Sequence, residues 1–402
     1  MRAFVAALLV AGGAAAAEDE GFASLHFQAT VATQAHPSFS AAYTKTNSNS
    51  MKPGAESATS VVMDLIGTLR PWAGAELTLQ PELAGGRGLS STLGVAAFPS
   101  GEVYRVGNPE PGLIVGRAFL KQTLGALAFT AGKFSVTDVF DNIAYSNDPH
   151  TRFMSWGLWA SAAYDYPADT RGYTWGLAAE ATSGDFSARA GLFLEPKLAN
   201  GIAMEWDVAK ARGLVSEVER RWTGGAVRLL GFLNTAHMGN YADATGQHVD
   251  VVSTRADGRL KGGFAASANQ DFGGGLGGFV RASFSDGANE TWAFTEIDRS
   301  LALGAVQSGE RWGRSKDEAG AALVVSGLSG AHRDYLAGGG YGFLIGDGAL
   351  NYAPEILGEL YYRGQITKEV SLGANYQPIL HPGYNQDRGP VHVFTARAHV
   401  AF

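Results

Sequence analysis

The densest set of side chains able to bind a polar solute lies between Ser135 and Arg171. There Asp138, Asp141, Asp148, Arg152, Asp165, Asp169 and Arg171 are interleaved with Phe140, Tyr145, Phe153, Trp156, Trp159, Tyr164 and Tyr166. Carboxylates and guanidiniums hydrogen-bond hydroxyl-rich molecules, and aromatic faces stack on the apolar faces of sugar rings. The same mixture equally suits a surface loop packed on itself, or an aromatic set that plugs a cavity. Patterns for other chemistry are sparse. Gly273, Gly275 and Gly278 match GxGxxG but join two strand-like segments with no helix following, so a flexible hairpin turn is expected. No GxSxG, Walker A or HExxH pattern occurs, and the nine histidines are scattered. His392 and His399 fall on opposite faces of one segment and cannot share a metal. No serine pairs with a base at readable spacing, which leaves a lipid hydrolase as an alternative without a motif. No cofactor, no metal and no enzymatic activity are expected.

The elements that must position these residues are strands. The last twelve residues, Val391 to Phe402, place Phe394, Ala396, Ala398, Val400 and Phe402 on one face and Thr395, Arg397 and His399 on the other. An alternating strand that stops on an aromatic residue resembles the C-terminal signal read by the outer-membrane barrel-assembly machinery; an ordinary half-buried final strand fits the same pattern. At the other end, Arg2, an apolar run from Ala3 to Val10 and Ala15-Ala16-Ala17 form a secretory signal pattern over residues 1–17. No later stretch reaches the ~18 apolar residues of a spanning helix, so a place in a membrane requires a closed barrel. Cysteine is absent, so no disulfide framework supports the exported chain. The formal charge of -7 argues against a nucleic-acid partner. With 54 Gly against 14 Pro, and no low-complexity tract or charge run, residues 18–402 read as one all-β domain.

Strand-like segments recur from Phe22 onward, and the links between them alternate between long and short. Pro71 to Gly74, Leu124-Gly125, Ser183-Gly184, Trp222 to Gly224, Gly273 to Gly275 and Thr367 to Val370 are short; the intervening links are mostly long. Segments of about ten residues cross a bilayer at a tilt of about 45°. A candidate strand at Phe153 to Tyr164 would make seventeen; because a single-chain bacterial barrel needs an even number, it is assigned to the loop and about sixteen strands remain. A segment beginning at Trp292 is read as one of the sixteen, with Trp292, Trp72 and Trp222 in interfacial girdles. The expectation is therefore a transmembrane antiparallel β-barrel with short periplasmic turns, long extracellular loops and one loop folded into the lumen. A charge turned to lipid at mid-bilayer costs ~2–4 kcal/mol, so the charged faces of Asp185 to Leu194 and Pro354 to Ile366 must line an aqueous channel.

Several stretches resemble the OprB-type carbohydrate-selective porin family. They are Pro81 to Ser90, Phe98 to Gly107, Ala144 to Asp148 with Phe153 to Trp156, Asp165 to Tyr173, Glu296 to Leu301 and Tyr384 to Pro390. The likeness covers nearly the whole mature chain, with no room before Phe22 for the wall-binding module that some relatives carry. It implies a sixteen-stranded channel seated among outer-membrane lipids of a Gram-negative bacterium, through which small hydrophilic solutes, most simply sugars, pass by diffusion. It also implies pore-lining or solute-contact roles for Glu82, Arg87, Arg105, Arg117, Asp138, Asp141, Arg152, Trp156, Trp159, Arg171, Arg189, Glu359, Arg363 and Arg397; for the charged ones a structural salt-bridge lattice is the other reading. A general or ion-preferring porin and a plugged barrel remain alternatives.

Overall fold

In a computed structural model, which describes residues 21–43, 48–103 and 110–402, sixteen antiparallel strands close on themselves. They are β1 (Ala23–His36), β2 (Glu56–Leu69), β3 (Ala75–Gly86), β4 (Gly112–Leu124), β5 (Leu127–Phe134), β6 (Thr174–Ser183), β7 (Phe186–Phe193) and β8 (Arg212–Trp222). There follow β9 (Gly225–Met238), β10 (Ala256–Gly273), β11 (Leu276–Ser285), β12 (Arg299–Ser308), β13 (Glu318–Gly327), β14 (Glu355–Gln365), β15 (Val370–Leu380) and β16 (Val391–Ala401). Each strand pairs with its neighbours in sequence, and β16 returns to β1 with Val31 opposite Ala398. Phe27 and Phe402 complete the seam: Phe27 donates to Phe402 O at 2.7 Å, Phe402 donates back at 2.9 Å, and the rings lie 5.1 Å apart. Closure leaves no unpaired sheet edge, the condition for strands in lipid.

The two faces follow the alternation in the sequence. On β16, Phe394 is 53% exposed, whereas Thr395, Arg397 and His399 point inward and are buried. Leu79, Leu113, Leu177, Leu229, Leu303 and Leu360 continue the apolar outer band around the circumference. Trp72 and Trp222 are exposed beside short turns, with their Nε1–H groups held by Gln122 and Gln270.

Long outer links fold inward, so the apolar core lies inside the barrel. Met51, Leu89, Phe98, Phe140, Phe153, Leu158, Tyr164, Phe294, Leu344 and Tyr384 come from six different links and pack against inward side chains such as Phe279, Val324, Leu357 and Tyr361. Burying one such side chain stabilises by about 1.5–3 kcal/mol, so the loops are held by packing as well as by polar bonds. Phe153 to Tyr164 stays in the link between β5 and β6. There Ser155 accepts the Gly157 N–H and caps a single turn, α1 (Trp156–Trp159).

One boundary differs from the sequence reading. Strand β12 starts at Arg299, and Trp292 to Asp298 belong to the preceding outer link. The Asp165 carboxylate accepts the N–H groups of Trp292, Ala293 and Phe294, and Trp292 donates its Nε1–H to Pro196 O at 2.7 Å. Trp292 is thus fully buried in the loop core and is no girdle residue. Its alternating apolar neighbours imitated a strand; backbone donors captured by a distant carboxylate decide otherwise.

Candidate functional site in the barrel lumen

Buried carboxylates and guanidiniums on the inner wall hold the 135–173 link in place. From β14, Glu359 accepts the N–H groups of Met154 and Ser155 at 2.8 and 3.0 Å, and side-chain amides of Asn375 and Gln377 fill its remaining lone pairs. From β16, Arg397 donates to the carbonyl oxygens of Pro149, Thr151 and Arg152. Arg152 itself reaches β13 through two 3.0 Å bonds to Glu318. From β11, the fully buried Arg281 donates to Asp141 O, Ser146 O and Leu158 O, and Asp141 accepts the N–H and hydroxyl of Ser161. These charges tolerate burial because their polar atoms meet partners.

So packed, the loop leaves space on the β1–β9 side. An outer cavity of about 510 Å³ and an inner one of about 520 Å³ share Asp138 and Asn142 in their linings, which places these two residues at the junction. Each volume lies in the range of small-molecule clefts.

The outer cavity has a polar wall built across four strands. Gln28 and Gln80 donate to Asp64 at 2.8 and 2.7 Å, and Arg117 donates to Gln80 and to both oxygens of Asp138. One turn further out, Glu82 accepts from Tyr173 at 2.5 Å and pairs with Arg171 at 3.3 Å. Lys133 lies 3.6 Å from Asp169, whose carboxyl is raised by burial against the pull of Lys133 and the N–H groups of Arg171 and Tyr173. His150, from the loop, sits 2.8 Å from Glu102; burial opposes its charge, but Glu102 and Asp148 overcome this and bring its pKa to about 9. Burial would raise Asp148, yet His150 and the Thr151 hydroxyl hold it below the ordinary carboxylate value.

The same cavity carries an aromatic set. Trp156, Trp159 and Tyr166 meet on Phe294, at 5.9, 5.7 and 4.6 Å between ring centroids. Trp159 is the half-buried member, and its Nε1 has no hydrogen-bond partner among the described residues. Gly101 permits its approach, because a Cβ there would stand 3.1 Å from that nitrogen and 2.6 Å from Pro149.

Of the residues singled out in the sequence, Glu82, Arg117, Asp138, Asp141, Trp156, Trp159 and Arg171 line the outer cavity, and Arg189 lines the inner one within a cluster of Glu180, Glu217 and Glu219. Arg152, Glu359 and Arg397 hold the loop and contribute to neither lining. Arg363 bonds Gln365 at 3.2 Å near the short-turn end, Arg87 is exposed in the link after β3, and Arg105 lies outside the described residues. Sequence reasoning missed Asp64, Gln80, Glu102, His150 and Phe294 as lining residues. On β2 the inward set mixes Asp64 with Val62 and Ile66, so the polar side was not visible there; Gln80 did fall on the polar face of a period-two strand.

The sequence model of the carbohydrate-selective porin, OprB family, matches residues 48–402. The chain belongs to that family. It is accordingly an outer-membrane carbohydrate porin, a channel rather than an enzyme. Among solved structures, the high-pH structure of Pseudomonas putida OprB is 16% identical with a TM-score of 0.76, over 94% of each chain. The low-pH structure of the same protein is 15% identical with a TM-score of 0.52, over 94% of this chain and 92% of that one. The outer membrane channel DcaP of Acinetobacter baumannii is 8% identical with a TM-score of 0.57, over 97% and 100%. At these identities the structural likeness concerns the fold of the OprB-family chain alone. No curated protein matches the sequence.

Proposed function

We propose that small neutral sugars, mono- or oligosaccharides, diffuse passively through the outer cavity, past Asp138 and Asn142, into the inner cavity and on to the periplasm. The observation that carries this reading is the pairing, in one cavity, of a hydrogen-bonding wall with an aromatic set whose half-buried member is Trp159. Hydroxyls exchange among Asp64, Gln80, Glu82, Arg117 and Asp138 while ring faces pass Trp159. Several weak contacts in series let solute both arrive and leave. Arg152, Glu359 and Arg397 serve the pore by fixing the loop. Residues 1–17 act as the export signal, and β16, with Phe402 directly after it, presents the recognition strand to the assembly machinery.

Uptake into liposomes containing the refolded protein tests this. A hexose is expected to enter faster than an amino acid of similar size, and Trp159→Ala is expected to reduce that preference severalfold. Equal uptake of hexose, amino acid and salt would point to a general porin, and no uptake at all to a plugged barrel.

A further inference from the structure

Pairwise cancellation of the charges around the outer cavity leaves a residue of one sign. Asp138 is matched by Arg117, Glu82 by Arg171, Asp169 by Lys133 and Asp141 by Arg281. Behind the loop, Glu359 and Arg397 count as one charge of each sign. What remains is Asp64, Glu102 and Asp148 around the single imidazole of His150, all four on the cavity lining. Glu102 is 2.8 Å from the His150 ring, Asp148 accepts the His150 backbone N–H at 2.9 Å, and Gln28 links Asp64 to the imidazole at 2.8 and 3.3 Å. With His150 counted as a cation, two negative charges are uncompensated among the described residues.

A second observation points to a ligand. Glu102 is only 3% exposed, yet it lines the cavity and its Oε2 has neither a hydrogen bond nor an ion pair among the described residues. A buried carboxylate oxygen with an open lone pair is an acceptor waiting for a donor. The inner cavity offsets this field only in part: Arg70, Lys121, Arg189, Arg221 and Arg228 on its lining face Glu76, Glu180 and Glu219 there and Glu217 behind Arg189, which leaves one positive charge against the two negative ones.

We infer that the outer cavity is a charge filter centred on Asp64, Glu102 and Asp148, which admits neutral and cationic sugars, amino sugars among them, and turns back sugar acids. The inference rests on the porin reading above and adds the sign of the solute to it. An amino sugar's ammonium is drawn by the field of Asp64, Glu102 and Asp148; a sugar carboxylate meets a field of its own sign in a passage walled by protein, where focusing raises the effect.

The test compares D-glucosamine, D-glucose and D-glucuronate uptake at neutral pH in liposomes carrying the whole protein. At about 10 mM salt, glucosamine is expected to enter about tenfold faster than glucuronate. At about 1 M salt, where screening acts over about 3 Å, the ratio is expected to fall toward one. Planar-bilayer reversal potentials in a potassium chloride gradient should carry the sign of cation preference. Asp64→Asn combined with Glu102→Gln should lower the glucosamine-to-glucuronate ratio severalfold. The salt series on the native protein needs no variant to fold. Glucose uptake with glucuronate as fast as glucosamine at low salt overturns this inference alone. Absence of glucose uptake overturns the porin reading, and this inference with it.

Discussion

Single side chains in this barrel divide by what their polar atoms already hold. Glu359 and Arg397 have their hydrogen-bonding capacity taken up by loop backbone and neighbouring amides, so they position the passage without offering it anything. Trp159 Nε1 and Glu102 Oε2 are buried without a hydrogen bond among the described residues, and both residues line the outer cavity, so their polarity is not spent on holding the loop. His150 is poised between these roles. The groups facing it are Glu102 from the β3–β4 link, Asp148 from its own link, Asp64 on β2 and His399 on β16, whose ring stacks at 6.0 Å. Its pKa of about 9 stands above the ordinary 6.5, so the stabilisation from its pairing is complete below about 6.5 and is lost as pH rises through about 9. Two outcomes are expected across pH 8 to about 10: stronger cation preference in reversal-potential measurements, because one positive charge leaves the lining, and faster hydrogen exchange around 148–152. His150→Gln should show the high-pH selectivity at pH 7 and lose the dependence.

At the scale of elements, the inner loops are tethered by carboxylates that gather backbone N–H groups. Glu359 does this for 154–155, Glu355 for Ala96, Ala97 and Gly383, Glu296 for Leu344 and Ile345, and Asp165 for 292–294. Removing one partner of such a buried, fully bonded charge costs about 3–5 kcal/mol, because the stranded donors find no water. Glu359→Ala is therefore expected to free the 135–173 link without opening the barrel. Limited proteolysis should cut near Arg152 much faster, single-channel conductance should rise, and discrimination between hexose and amino acid should fall, while the strand content measured by circular dichroism stays constant. Asp298, in the link before β12, carries a second tether. Burial would raise its carboxyl, but His332 at 3.0 Å and Lys261 bring it to about 2. Its contribution is present above about pH 4, its ordinary range, and is lost as pH falls through about 2. Loosening of the link containing 286–298, read by hydrogen exchange, should track that window.

For the whole molecule, closure is the property on which the others depend. The seam of β1 on β16 supplies the last row of backbone bonds and sets the circumference. Deleting Phe402 removes two of its bonds and the ring contact with Phe27, and takes away the terminal aromatic on which the proposed recognition rests. The expected result is slower assembly into vesicles containing the assembly machinery, with little change in the conductance of molecules that do insert; unchanged assembly would assign β16 a purely structural end. The barrel was legible in the sequence because period-two alternation, turn residues at alternating intervals and the cost of charge in lipid act locally and independently of the partner strand. That is why sixteen strands and the inward direction of Thr395, Arg397 and His399 could be read from Val391 to Phe402 and its predecessors. The candidate path was only partly legible. Charged and aromatic residues of 135–171 announced a polar-aromatic surface, but whether each one faces solvent or backbone depends on which distant groups reach it first. Asp141, Arg152, Glu359 and Arg397 read alike in sequence, and only the folded loop assigns them to tethering. The sequence by itself determined a closed strand architecture with a charged interior, since alternation and lipid exclusion are properties of each segment. The tertiary structure alone decided where the two cavities lie and which buried polar atoms lack a partner among the described residues, since those follow from contacts between residues far apart in the chain.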